Sequence, residues 1–192
     1  LSSACLYLDL NPLMTQGQIY ELESHSNEDI KNIFLPKLNS CEWSGTMNLT
    51  EPQAGSDVGA LRTLALKDND GTYKITGQKI YISWGDHSLS SNICHLLLAR
   101  LPNSPKGTKG ISLFLVPKYI PDQNGNINEV NSINTISLEH KMGLHGSPTA
   151  VLEYKNAKAW LIGEENNGMV AMFTMMNNAR LGVAVQGLSQ SE

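Results

Sequence analysis

The chain has 192 residues, 41% of them hydrophobic, so it can bury a substantial core and lacks the composition of a disordered tail. Its 14 Lys and Arg and its 18 Asp and Glu give a formal net charge of −4. A mildly acidic chain without a basic run is unsuited to nucleic acid, because phosphates bind to clustered cations. No run approaches the roughly 20 apolar residues that span a bilayer. The sequence therefore predicts neither nucleic acid nor membrane as a partner.

Residues 1–42 are predicted to be helical. Apolar residues fall on one face of a helix over residues 15–24, and Asn27 can cap a second helix. Pro36 predicts that this second helix ends near that point, because its ring clashes with the preceding turn. Two short helices cannot bury their apolar faces alone, so we expect them to end a larger helical domain. The missing initiator Met also predicts that the protein begins upstream of residue 1.

Residues 43–160 are predicted to form short strands. Asp70 and Gly71 form a hairpin signal, Gly77 is expected to separate two strands, and the polar residues 121–134 are typical of a surface hairpin. Six or more strands separated by Gly, Pro and Asn indicate an antiparallel sandwich or barrel. The apolar runs that carry this prediction are residues 73–76, 78–83, 93–99, 111–116, 133–138 and 149–154.

Residues 161–192 are predicted to return to helix. From Gly168 onward, apolar residues, several of them Met, recur at helical spacing. A Met stripe is more often a packing face than a cofactor site. The predicted fold is therefore mainly β, with helices on either side of the β-domain in sequence.

The cysteines and histidines suggest neither a metal site nor a disulfide. Cys5, Cys41 and Cys94 are far apart and form no paired spacing, so we expect free thiols in a reducing compartment. His95 lies in an apolar run and is expected to be a hydrogen-bonded core residue. The other histidines are interpreted as surface or loop residues, because no set of them has the spacing of metal ligands.

Residues 49–57, LTEPQAGSD, are the most informative stretch. A Pro and a Gly shape an irregular loop in which Thr50, Ser56 and Asp57 offer short hydrogen-bonding groups. Such a loop can present amides and hydroxyls to a polar-edged planar ligand or a phosphate, but it can equally be an ordinary capped turn. The carboxylates of Glu51 and Asp57 are interpreted as parts of the loop structure rather than as a catalytic base.

Three further residues suggest a ligand. On a strand, Tyr81 and Ser83 point to the same face, where a ring and a hydroxyl could contact a flat heteroaromatic group. The alternative is a surface aromatic residue beside a Ser. Arg180 follows polar positions on an otherwise apolar helix, so it should either face a cleft for an anionic or carbonyl ligand or form a buried ion pair.

Taken together, these stretches resemble the acyl-CoA dehydrogenase family. The larger bacterial enzymes that include methylthiopropionyl-CoA dehydrogenases are similar in the loop at residues 139–149 and in the excursion at residues 121–134. The resemblance implies a helical N-terminal domain, a middle β-domain and a helical C-terminal bundle, with boundaries near residues 42 and 160. The resemblance covers residues 46–57, 74–85, 110–117, 141–149 and 161–187.

The resemblance also implies that two stretches converge on the flat ring of FAD. The implied flavin contacts are Met47, Leu49, Thr50, Ser56, Tyr81, Ile82 and Ser83, and the implied acyl-CoA contacts are Ser56, Asn177 and Arg180. The family often has Trp and Thr at positions 81 and 83, so an aromatic face and a hydroxyl are both kept. The family's catalytic base usually lies beyond residue 192, so no catalytic residue is assigned here.

The implied function is oxidation of the α–β bond of an acyl-CoA thioester to a trans-enoyl-CoA. Electrons would pass to an electron-transfer flavoprotein or a similar acceptor, and the full enzyme would be a homodimer or homotetramer. The implied location is the bacterial cytoplasm, or the mitochondrion in a eukaryote. Three alternatives stay open: an oxygen-dependent acyl-CoA oxidase, a flavoprotein of the same fold without dehydrogenase activity, and a β-sandwich binding module without a cofactor. This chain alone is expected to be inactive.

Overall fold

The computed structural model describes residues 5–191, which form three α-helices and nine β-strands. The helices are α1 (Leu6–His25), α2 (Glu28–Asn39) and α3 (Gly168–Ser191). The strands are β1 (Trp43–Asn48), β2 (Leu64–Lys67), β3 (Tyr73–Ser83), β4 (Asn92–Arg100), β5 (Ile111–Pro117), β6 (Tyr119–Pro121), β7 (Ile127–Val130), β8 (Ile133–Leu138) and β9 (Thr149–Ile162). The predicted order of helix, strands and helix is confirmed.

Seven strands form one sheet, and β6 pairs with β7 as a hairpin over residues 119–130, which begins just before the segment 121–134 where a surface hairpin is predicted. Strands β4, β5, β9, β3 and β2 pair antiparallel in that order. A single pair, Leu64 with Arg100, joins β2 back to β4, so the arrangement is sandwich-like rather than a closed barrel. The predicted antiparallel sandwich is confirmed, with one addition: β1 and β2 both run parallel to β4, so the sheet is mixed. Parallel pairs require crossover connections, which short apolar runs do not reveal.

Strand β4 contributes to two cores at once. Cys94, Leu96 and Leu98 face the helices, whereas Leu97 and Ala99 face the interior of the sandwich. All five side chains are fully buried. Because alternate residues of a strand point to opposite faces, both sets must be apolar, and the strand therefore has a nearly unbroken hydrophobic sequence.

Two glycines let α1 lie close to its neighbours. A Cβ atom at Gly45 of β1 would meet the Gln18 Oε1 atom at 1.9 Å. A Cβ atom at Gly17 would meet the Met175 side chain of α3 at 2.8 Å. Helix α1 is therefore held between β1 and α3, and this packing brings the helix to the edge of the sandwich.

The ends of the helices only partly follow the prediction. The Asn27 side chain accepts a hydrogen bond from the Ile30 amide at 2.9 Å, which confirms the predicted cap. Helix α2 does end near Pro36, as predicted, but Pro36 lies inside its last turn and the helix continues to Asn39. Leu38 is fully buried, and the burial of this side chain holds the last turn in place despite the lost backbone hydrogen bond.

Gly77 does not separate two strands, because β3 runs unbroken from Tyr73 to Ser83. Its pairing with β9 instead shifts register between Ile75 and Thr76 and again between Lys79 and Ile82. Each shift is a local irregularity that the strand absorbs without ending. The predicted hairpin turn at residues 70–71 is confirmed, since β2 and β3 pair antiparallel on either side of it.

The three cysteines are free thiols. Cys94 is fully buried, and this burial raises the pKa of its thiol, whereas Cys41 is exposed. None of the helices within residues 5–191 combines the length and the apolar character needed to cross a lipid bilayer.

Candidate functional site

The two candidate ligand stretches meet at one edge of the sandwich. They line a depression with a volume of about 170 Å³, here called the Thr50–Tyr81 depression. Six of the seven predicted flavin contacts lie in it, and Met14 of α1 completes the wall. The lining residues are Met14, Met47, Leu49, Thr50, Tyr81, Ile82 and Ser83.

Backbone contacts fix the two stretches to each other. The Ile80 amide donates to the Thr50 carbonyl oxygen at 2.9 Å. Helix α1 is attached nearby, because the indole N–H of Trp84 donates to the Tyr7 carbonyl oxygen at 2.9 Å. The depression is therefore assembled from strand, loop and helix, each joined to the next by a hydrogen bond.

A buried ion pair lies directly behind this edge. The Lys79 Nζ atom is 2.8 Å from the Glu51 Oε1 atom and 2.9 Å from the Leu49 carbonyl oxygen. Glu51 also accepts hydrogen bonds from the amides of Arg62 at 2.7 Å and Thr63 at 3.1 Å. The relative exposures of the two charged side chains are only 0% and 3%. The interpretation of Glu51 as part of the loop structure agrees with this geometry.

The surroundings shift the pKa values of both members of the pair. Burial lowers the pKa of Lys79 to about 8, although the Glu51 carboxylate partly opposes this shift. Burial also acts to raise the pKa of Glu51, but the Lys79 ammonium and the donated hydrogen bonds outweigh it and lower the pKa overall. The pair is therefore ionised at neutral pH.

A β-bulge aims the side chain of Tyr81 outward. Between Lys79 and Ile82 three steps along β3 oppose two along β9, which adds one residue to β3. Tyr81 sits in this bulge with a φ of 59°, a left-handed conformation that is strained for a bulky side chain. Without the bulge, Tyr81 would follow Ile75 and Lys79 into the core. Instead the Tyr81 side chain is 61% exposed and Ile82 is buried.

A chain of buried polar side chains supports β1 just before the depression. The Thr46 hydroxyl lies 2.7 Å from the His95 Nδ1 atom and donates to the Asn48 Oδ1 atom at 2.8 Å. The Asn48 amide group in turn donates to the Tyr154 hydroxyl at 2.6 Å. Burial lowers the pKa of His95 to about 3 and raises that of Tyr154. The prediction that His95 is a hydrogen-bonded core residue is confirmed.

The remaining predicted contacts lie away from the depression. Ser56 is exposed on its loop, and Asn177 and Arg180 are exposed on α3. The Arg180 guanidinium donates to the Asn177 Oδ1 atom at 2.9 Å and lies 5.2 Å from the centre of the Phe173 ring. The alternative of a buried ion pair at Arg180 is therefore wrong, and its side chain is available to a ligand.

Sequence reasoning missed Met14 and Lys79. Lys79 could have been found, because it continues the core-facing series of Tyr73 and Ile75 and a charge at such a position requires a partner. Nothing in the local sequence singles out Met14, since its place in the wall depends on how α1 packs against the sheet.

The fold is that of a β-domain flanked by helices, with a candidate ligand site in the depression at one edge. The family model described as "Acyl-CoA dehydrogenase, middle domain" matches residues 46–157. The chain is 49% identical over its whole length to 3-methylmercaptopropionyl-CoA dehydrogenase of Ruegeria pomeroyi, of which it covers 33%. It is 44% identical to a butyryl-CoA dehydrogenase of Syntrophomonas wolfei over 91% of the chain and 30% of that protein.

The solved structures agree with the sequence matches. Butyryl-CoA dehydrogenase from Megasphaera elsdenii superimposes with a TM-score of 0.84 at 27% identity, covering 98% of this chain and 46% of that one. The chain therefore belongs to the acyl-CoA dehydrogenase family. It spans about a third of the length of the curated relatives named above.

Enzymes of this family are FAD-dependent flavoproteins, and the Thr50–Tyr81 depression fits a flat, polar-edged ring. The Thr50 and Ser83 hydroxyls form no hydrogen bond with another residue in the part of the chain that the structure describes. They lie beside the apolar side chains of Met14, Met47 and Leu49, and the Tyr81 ring is largely exposed at the same place. Free hydroxyls beside apolar surface suit the edge and the face of such a ring.

Proposed function

We propose that the protein containing this chain is an FAD-dependent acyl-CoA dehydrogenase that oxidises the α–β bond of an acyl-CoA to a trans-enoyl-CoA. The observation that carries the proposal is the meeting of residues 47–50 and 81–83 in one depression at the edge of the β-domain. When bound there, FAD supplies the two-electron acceptor that this oxidation requires.

The chain's own residues would bind and orient the reactants. The hydroxyls of Thr50 and Ser83 can hydrogen-bond the polar edge of the flavin, and the Tyr81 ring can contact the flat system. Met14 and Met47 would exclude water from one side, which strengthens these polar contacts. The carboxylate of Glu51 is occupied by Lys79 and two amides, so we assign the catalytic base to none of the described residues.

Three exposed groups are proposed to bind the acyl-CoA. Arg180 and Asn177, already joined by a hydrogen bond, present donors from α3 that suit a carbonyl or an anionic group. Ser56 is proposed to contact both the flavin and the CoA portion, because it lies on the loop that leads out of the depression. None of these residues needs to move from a buried position to do so.

The relatives support a short acyl chain as substrate. The 49% identity to 3-methylmercaptopropionyl-CoA dehydrogenase and the 44% identity to a butyryl-CoA dehydrogenase both favour a C3 to C4 thioester, with or without a thioether. We further propose that an electron-transfer flavoprotein or a similar carrier accepts the electrons. A homodimeric or homotetrameric assembly in the bacterial cytoplasm is proposed from the same resemblance.

The decisive experiment is a spectrum of the intact gene product. We expect flavin bands in the visible range, and anaerobic bleaching of them by 3-methylmercaptopropionyl-CoA or butyryl-CoA more than by a long-chain acyl-CoA. Formation of the enoyl product with a dye as electron acceptor completes the test. A protein that purifies without flavin and takes up none, or a flavin that no acyl-CoA bleaches, would contradict the proposal.

A further inference from the structure

The ion pair behind the Thr50–Tyr81 depression connects both of its walls. Leu49 and Glu51 flank Thr50 in the chain, and Lys79 contacts both of them, at the Leu49 carbonyl oxygen and the Glu51 carboxylate. Lys79 is also two residues before Tyr81 and next to Ile80, whose amide bonds the Thr50 carbonyl oxygen. One ammonium group thus fixes the loop wall to the strand wall on both sides of Thr50.

Stability alone does not explain why charges are buried here. The lysine occupies a core-facing position of β3, which an apolar side chain of similar length could fill. Replacing a buried ion pair by apolar residues is often neutral or stabilising, because removing charges from water is costly. What an apolar pair cannot provide is the fixed, directional connection from strand to loop that three hydrogen-bonded groups give. In some proteins, buried polar or ionic groups specify one geometry at a cost in stability.

We propose that Lys79 and Glu51 are positioning residues for the flavin, setting the relative placement of Thr50 and Tyr81 without touching the flavin themselves. This inference rests on the proposed function, and it predicts changes in the affinity, spectrum and reactivity of the bound flavin that a purely structural ion pair would not produce. The strained backbone at Tyr81 adds to the need for such a device, because a left-handed Tyr persists only where its surroundings hold it.

The test compares two lysines of the same strand in the intact, FAD-loaded enzyme. Lys79→Met removes the buried connection. Lys74→Met removes an ion pair of similar length, 2.7 Å to Asp68, which lies on the surface. We expect Lys79→Met to weaken FAD binding at least tenfold. When resaturated with FAD, this variant should show a shifted visible flavin band and at least a tenfold lower kcat, with a smaller change in KM. Lys74→Met should keep the wild-type flavin band, and its FAD affinity, kcat and KM should each stay within twofold of the wild type.

Glu51→Gln provides a milder variant that keeps an acceptor oxygen for Lys79. We expect FAD affinity to fall at least threefold, with a shift of the flavin band in the same direction as for Lys79→Met. This variant carries the test if Lys79→Met does not fold. A folded variant with the FAD affinity and flavin spectrum of the wild type overturns the inference while leaving the proposed function standing. A wild-type enzyme without flavin, or one whose flavin no acyl-CoA reduces, overturns both.

Discussion

Glu51 in the β-domain and Glu21 in α1 are both buried acids, yet their surroundings shift the pKa values of the two carboxyl groups in opposite directions. Glu51 receives an ammonium group and two backbone amides, which lower the pKa of its carboxyl. Within residues 5–191, neither carboxyl oxygen of Glu21 has a hydrogen-bond partner. Burial therefore raises the pKa of Glu21 to about 8, and the nearby Thr174 hydroxyl offsets only part of this shift.

The comparison shows that burial alone does not decide the charge of a carboxyl group; its partners do. Beside the Thr50–Tyr81 depression, the buried charges of Glu51 and Lys79 compensate each other. At the contact between α1 and α3, Glu21 is kept neutral at neutral pH, and the adjacent Gln18 is also buried without partners among the described residues. The Glu51–Lys79 pair therefore favours a precise geometry, whereas Glu21 makes the contact between α1 and α3 sensitive to pH.

The largest effect should come from breaking the compensated pair. Lys79→Met leaves Glu51 as a buried, uncompensated charge, so we expect the free energy of unfolding to fall by about 3–5 kcal/mol. Urea unfolding of the protein checks this, with Lys74→Met as the surface control. The control should lose less than about 1 kcal/mol. Equal losses in the two variants would show that the buried pair is not special.

Removing the charge of Glu21, the acid without a partner among the described residues, should stabilise the protein rather than destabilise it. The folded-state pKa of Glu21 is raised from 4.5 to about 8, so its contribution to stability is full below about pH 4.5 and is lost as the pH rises toward about 8. Glu21→Gln cannot ionise and should stabilise the protein by roughly 2–3 kcal/mol at pH 8.5, with little gain at pH 4.5.

Urea midpoints of Glu21→Gln at pH 4.5, 7 and 8.5 provide the measurement. Glu23→Gln is the matched control, because Glu23 is exposed on the same helix and its replacement should leave the pH dependence unchanged. A gain from Glu21→Gln that is the same at all three pH values would mean that Glu21 does not titrate as its burial indicates.

Substitutions at Tyr81 should affect the stability of the β-domain and its binding of FAD differently. Asn adopts the left-handed conformation more easily than Tyr, so Tyr81→Asn should leave stability unchanged or raise it by up to about 1 kcal/mol. The same change removes the ring from the depression and should weaken FAD binding at least fivefold, measured by flavin fluorescence. Tyr81→Phe keeps both ring and strain and should match the wild type. Loss of stability in Tyr81→Asn would contradict the strain argument.

The smallest effect on stability is expected at Arg180, which is exposed and, among residues 5–191, contacts Asn177 and the Phe173 ring. Arg180→Ala should change the free energy of unfolding by less than about 0.5 kcal/mol. Its KM for acyl-CoA should rise about tenfold, and Arg180→Lys should recover only part, because Lys lacks the planar donor pair. An unchanged KM in Arg180→Ala would remove the residue from the substrate site.

Much of the fold could be predicted because its signals are local. A cap at Asn27, a turn at residues 70–71 and the start of α3 at Gly168 depend on residues next to one another in the chain. The departures from the predictions have tertiary causes. The burial of Leu38 carries α2 past Pro36, and pairing with β9 carries β3 past Gly77. The parallel placement of β1 on β4 joins strands more than 40 residues apart along the chain, which no local pattern reports.

The candidate site shows the same division. The two stretches around Thr50 and Tyr81 could be named from the sequence and its family resemblance. Their connection could not, since Lys79 and Glu51 are 28 residues apart and meet only because loop and strand pack edge to edge. The wall formed by Met14 likewise depends on α1 lying against β1. Local chemistry suggested the ligand, and long-range packing decides which side chains hold its site.

Because Cys94 is buried, the chemical labelling of its thiol can be used to measure local unfolding of the protein. A thiol reagent should modify the exposed Cys41 at once, whereas Cys94, shielded between the helices and the sheet, should react only when β4 separates from its neighbours. The rate at which the Cys94 sulfur is labelled therefore measures how often the centre of the molecule comes apart, without denaturant and without a dye.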